Sequence, residues 1–93
     1  MSKEILLKTS EIKQFTSVHQ WLKQKLEFPE HYGENLDALW DSLLKDIKLP
    51  LTILWQDDAN TKGLYKAITD VFEDAAGELD QLQFGYVLDD EEE

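Results

Sequence analysis

Asp37 and Asp41 stand four residues apart in the stretch Glu34-Asn35-Leu36-Asp37-Ala38-Leu39-Trp40-Asp41. On an α-helix that spacing puts both carboxylates on one face, one turn apart. Paired carboxylates can serve as a general acid and base, as ligands for a divalent cation, or as anions shown to a cationic surface. Acid–base work needs environments that separate the two pKa values, and a convex helix face gives no reason to expect them. A Mg²⁺ or Ca²⁺ site made from Glu34, Asp37 and Asp41 lacks the graded ligand spacing of a calcium loop. A merely solvated helix face is the plain alternative, but the local charge count weakens it. From Leu26 to Leu44 there are five carboxylates (Glu27, Glu30, Glu34, Asp37, Asp41) and no Lys or Arg. Like charges at this spacing destabilise an isolated helix by about 0.2–0.5 kcal/mol, so helix stability does not account for the pair. Phe28, Tyr32 and Trp40 lie in the same segment. Acids interleaved with aromatics suit a surface that docks onto a basic cleft.

The elements that must hold these residues follow from the flanking sequence. Pro29 and Gly33 bend the approach, and Asn35 is a preferred N-cap, because its side-chain oxygen accepts an otherwise unpaired N–H of the first turn. Leu36, Leu39, Leu43 and Ile47 make one apolar stripe, with Trp40 and Leu44 along the seam. Upstream, Ile5-Leu6-Leu7 reads as a short strand. A helix is predicted from about Thr16 or Ser17, with Ser17 and Gln20 at capping-box spacing. Val18, Trp21, Leu22 and Leu26 form its apolar face, leaving His19, Gln20, Lys23 and Lys25 on the wet side. After Pro50, Leu51 to Trp55 is rich in branched and aromatic residues and reads as a strand. Gln56 to Gly63 is polar and turn-like. A helix over Leu64 to Leu79 places Leu64, Ile68, Val71, Phe72, Ala75 and Leu79 on one stripe, with Lys66 and Asp70 paired outside. Gln83 to Leu88 is a last strand. Crossover connections between these strands imply an α/β domain with a small parallel sheet of three strands and helices packed on it.

Composition narrows the function. Ninety-three residues make one domain, taken here as residues 1–88, followed by Asp89 to Glu93 as a disordered acidic tail. The net charge is −11, and the first 88 residues still hold 15 acids against 9 bases. Such a chain is repelled by nucleic acids and anionic membranes, and its favoured partners are cationic. No cysteine is present, so a disulfide framework and a thiolate zinc site are excluded. Four scattered glycines never form a phosphate loop, and the two histidines sit twelve residues apart with no HExxH. No cofactor or metal and no catalysis is expected. With no apolar run approaching about 18 residues, a cytoplasmic protein is expected.

Tyr32-Gly33-Glu34-Asn35-Leu36-Asp37-Ala38-Leu39-Trp40-Asp41 resembles the signature of the barstar family, intracellular inhibitors of barnase-type ribonucleases. Val18-His19-Gln20, Leu26-Glu27-Phe28-Pro29-Glu30, Leu49-Pro50-Leu51 with Trp55, and Val71-Phe72-Glu73-Asp74-Ala75 resemble the family too. About four-fifths of the chain is covered on this motif reading, leaving the loop near 56–64 and the tail as the divergent parts. The resemblance implies a barstar-like fold of two layers, with three parallel strands in the order 1-2-3.

It also implies roles. Asp41 matches the family's central acid, which enters the enzyme's phosphate site, and Asp37 a second acid that pairs with an enzyme Arg. Gly33 and Asn35 match turn and N-cap positions with backbone contacts, Leu36 an apolar contact near the centre, and Trp40 an aromatic at the edge. Tyr32 opens the motif and is placed in the same partner-binding set. Three positions depart from the family pattern: Asp74 stands where it has Glu, His31 where it has a Tyr against the catalytic histidine, and Asp46 where it has Trp. A protonated His31 facing cationic groups is unfavourable, so inhibition is expected to weaken in acid. The expected partner is a basic, extracellular-type, barnase-like ribonuclease, bound 1:1 by a monomer whose carboxylates mimic RNA phosphates. A barstar-like adaptor for a basic partner that is not a nuclease is the alternative.

Overall fold

The computed structural model describes residues 3–89. Strand β1 (Lys3–Lys8) leads through a 3-10 helix (Thr9–Gln14) to helix α1 (Val18–Leu26). Helix α2 (Leu36–Lys45), strand β2 (Leu51–Asp58), helix α3 (Lys66–Glu78) and strand β3 (Leu82–Asp89) follow. The strands are parallel in the order β1-β2-β3, with Ile5, Ile53 and Phe84 in register, and Leu7, Trp55 and Tyr86 one pleat on. The expected α/β architecture is what the chain adopts.

Period-2 alternation decides what each strand buries. In β2, Leu51, Ile53, Trp55 and Asp57 point inward and are buried, while Leu54 between them is 39% exposed. Its register partner Leu6 is similarly open, so among the described residues helices cover one face of the sheet. The covered face meets Trp21 and Leu22 of α1, Leu39 and Leu43 of α2, and Ile68 and Phe72 of α3 in one core. Aromatic rings bind these layers: Trp21 meets Trp55 edge-on at 5.4 Å, and Phe72 stacks on Phe84 at 5.2 Å.

Four local expectations change. Leu64 is not on the α3 stripe: α3 starts at Lys66, and Leu64 is 67% exposed in the preceding turn. Gln56 to Asp58 are not a turn but the end of β2. Asp is disfavoured in strands, yet Asp57 is 2% exposed and fully engaged. Its carboxylate accepts from Tyr86 Oη at 2.6 Å, Thr61 Oγ1 at 2.5 Å, Thr9 Oγ1 at 3.4 Å and the Gly63 N–H at 3.4 Å. These tertiary donors hold the polar strand end in place. Asp89 closes β3 and is no part of a separate tail; the expectation for residues 90–93 lies outside the described residues. His19, expected on the wet face of α1, is instead half-buried against Tyr32.

Candidate functional site

Helix α2 is anchored at its start. Asn35 adopts extended φ and ψ of −147° and 176°, and its side-chain oxygen accepts the Ala38 N–H at 2.7 Å. That satisfies a first-turn donor, as the N-cap reading requires. The Asn35 amide also donates to the Gly33 carbonyl at 3.3 Å. Gly33 is needed for close approach, since a Cβ there would sit 3.1 Å from the Ala38 methyl carbon. The left-handed turn belongs to Glu34, with φ of 57°. A non-glycine residue in that region stores strain and persists only where its surroundings fix it. Here the Glu34 carboxylate accepts from the Gln20 side-chain amide of α1.

The loop from α1 to α2 is strapped from beneath. Glu27, also left-handed at φ 58°, closes α1 with its N–H on the Lys23 carbonyl. Phe28 and Tyr32 pack together with centroids 4.8 Å apart, each only 6% exposed. The Tyr32 hydroxyl lies 2.8 Å from His19 Nδ1. Burial first, and then the Glu34 carboxylate, push the Tyr32 hydroxyl up to about 12. The same burial lowers His19, partly opposed by Glu34. Of the three aromatics in the acidic segment, Phe28 and Tyr32 belong to the core, and Trp40 is partly buried against it. Tyr32, expected in the partner-binding set, packs into the loop with 6% of its surface exposed and also lines the groove that holds His31 and Asp41.

Unlike Phe28 and Tyr32, the two helix acids face solvent. Asp37 and Asp41 lie opposite the buried residues Leu39, Ser42 and Leu43, and both are exposed. Neither makes an ion pair or hydrogen bond among the described residues. Leu36, 40% exposed, completes the first turn. His31, Tyr32, Gly33 and Asp41 line one groove of about 360 Å³, whose wall also carries Lys45 and Asp46. Lys45 lies one residue beyond the stretch whose charges were counted, and helical spacing from Asp41 was the signal for it. Asp74 is exposed on α3, which packs on α2, but it does not line this groove. Among the described residues no three His, Cys, Asp or Glu side chains come together to hold a metal ion. No helix among them is long and apolar enough to cross a membrane.

The arrangement presents unneutralised carboxylates, one turn apart, on a helix that is capped, strapped and packed. Comparison with known proteins agrees in kind. The family model described as Barstar (barnase inhibitor) matches residues 2–90. The chain is also similar to a protein of Bacillus subtilis (strain 168) named "Putative ribonuclease inhibitor YrdF", 42% identical over 52 residues. That match covers 56% of this chain and 57% of the relative, so the chain spans under two thirds of it.

Proposed function

The chain belongs to the barstar family, and from that premise we propose that it inhibits a barnase-type ribonuclease by filling the enzyme's RNA-binding cleft. One observation carries the reading: Asp37 and Asp41 are exposed, unpaired and rigidly spaced on α2. A ribonuclease holds RNA phosphates with Arg, Lys and His. Arg takes a carboxylate bidentately much as it takes a phosphate, with short charge-assisted hydrogen bonds. Asp41 enters the phosphate site and Asp37 pairs with a neighbouring Arg. His31, Gly33, Asn35, Leu36 and Trp40 surround them, and Asp74 stands at the rim.

Rigidity supports this use of the face. Ordering a loop on binding subtracts from affinity, and the Asn35 cap and the buried Phe28 and Tyr32 have already fixed this one. Inhibition by occupancy needs no chemistry from the inhibitor. The protein acts as a cytoplasmic monomer forming a 1:1 complex, and its negative charge speeds association with a basic enzyme.

The test is to titrate the protein into a barnase-type ribonuclease while following RNA cleavage. Stoichiometric loss of cleavage, relieved in Asp41→Ala, is the expected outcome. Undiminished cleavage at molar excess across several such enzymes would leave a basic partner that is not a nuclease.

A further inference from the structure

β3 is an outer strand: among the described residues it pairs with β2 alone. From Leu82 to Leu88 its edge holds no charge and no proline. Natural sheets normally blunt such an edge with Lys, Pro, a bulge or a covering element, because its free N–H and C=O groups are a template for another strand. Tyr86 and Val87, neighbours that point to opposite sides, are 43% and 42% exposed.

Beside this edge lies a cavity of about 240 Å³, bounded by Asp57, Tyr65, Asp70, Glu73 and Tyr86. Three of these carry carboxylates, and the ammonium on its wall, Lys66, is already 3.1 Å from Asp70. Asp57 is buried, its bonds come from three hydroxyls and a backbone N–H, and it makes no ion pair among the described residues. With Lys66 held by Asp70, the Glu73 and Asp57 carboxylates leave this wall net negative, which favours a cationic visitor. Tyrosine faces attract cations as well. The volume is below the roughly 300–1,000 Å³ of sites for drug-sized ligands and suits a single long side chain.

We propose that the free edge of β3 and this cavity form one docking surface for an extended protein segment bearing Lys or Arg. The segment adds to the sheet as a fourth strand beside β3. A strand there lies about 4.8 Å away, and its alternate side chains fall beside Tyr86 on the helix side. One of them carries its positive charge into the cavity. Main-chain hydrogen bonds supply affinity and the cavity supplies selectivity, as in other strand additions. Asp37 and Asp41 do not bound this cavity, so the surface is separate from the α2 face and does not rest on its function.

The probe is a nine-residue β-prone peptide with a central lysine, titrated against the intact chain by calorimetry and amide exchange. Saturable binding with slowed exchange over Leu82 to Leu88 is expected. Replacing the lysine by norleucine, or combining Asp70→Asn with Glu73→Gln, is expected to weaken binding about tenfold, a difference of about 1.4 kcal/mol. N-methylation of alternate peptide amides, which keeps the charge but blocks pairing, is expected to abolish it. Asp41→Ala is expected to leave it unchanged. Equal binding of the N-methylated peptide, loss of binding in Asp41→Ala, or no saturable binding would each overturn the proposal.

Discussion

His19 Nδ1 and the Tyr32 hydroxyl lie 2.8 Å apart, joining α1 to the turn that leads into α2. Burial holds His19 below its ordinary value of 6.5, against the smaller opposing pull of Glu34. The folded state therefore binds fewer protons than the unfolded state just below pH 6.5. Stability from this site is fully present above pH 6.5 and is lost as pH falls through the lowered value. Thermal melts between pH 8 and 5 are expected to show this loss, and His19→Gln to flatten it. An unchanged profile in His19→Gln would place the acid sensitivity elsewhere.

On the α2 face, position relative to the partner sets the order of effects. Breaking a desolvated charge pair at an interface centre costs roughly 2–5 kcal/mol, a general range to which barnase–barstar itself contributes examples. A rim pair in water contributes about 0–1 kcal/mol. Asp41→Ala is expected to weaken binding to the ribonuclease most, Asp37→Ala next and Asp74→Ala least. Calorimetric titration that ranks Asp74 above Asp41 would contradict the proposed roles.

The Asn35 cap is expected to be worth about 1 kcal/mol, the usual loss when such a cap becomes Ala. Asn35→Ala removes both the bond to the Ala38 N–H and the one to the Gly33 carbonyl. For a domain of this size that corresponds to about 4–8 °C in Tm. A larger proportional loss in ribonuclease affinity than in stability is the signature of a cap that also orders the binding turn.

The alkaline limit is set at the other end of the sheet. Donation to the Asp57 carboxylate, then burial and the charge of Asp57, push the Tyr86 hydroxyl up to about 12. With the folded value above the unfolded value of about 10, stability is intact below pH 10 and declines as pH rises through about 12. Tyr86→Phe is expected to lower stability at neutral pH by removing a donor to a buried carboxylate, about 1–3 kcal/mol. Melts between pH 9 and 11.5 should show a shallower decline in the variant. Tyr32, also raised to about 12, contributes to the decline that remains.

Local signals determined a large part of this molecule. The Ser17 and Asn35 caps, the Lys66–Asp70 pair, the three parallel strands and the acids sharing one face of α2 follow from spacing and residue type, while the strand order came from the family resemblance. Each depends on neighbours within about one helical turn, or on which face of an element is apolar, and both are written in the chain. Other features were settled only when distant segments met. Asp57 could enter a strand because Thr9, Thr61 and Tyr86 converge on it, and no local pattern encodes that convergence. His19 and Tyr32 read as surface residues until α1 and the loop packed together. Leu64 matched a helical stripe by spacing alone, yet α3 begins two residues later and leaves it in solvent. Periodicity fixes which way a side chain points along its own element; what it meets there depends on contacts dozens of residues away, and those exist only in the folded chain.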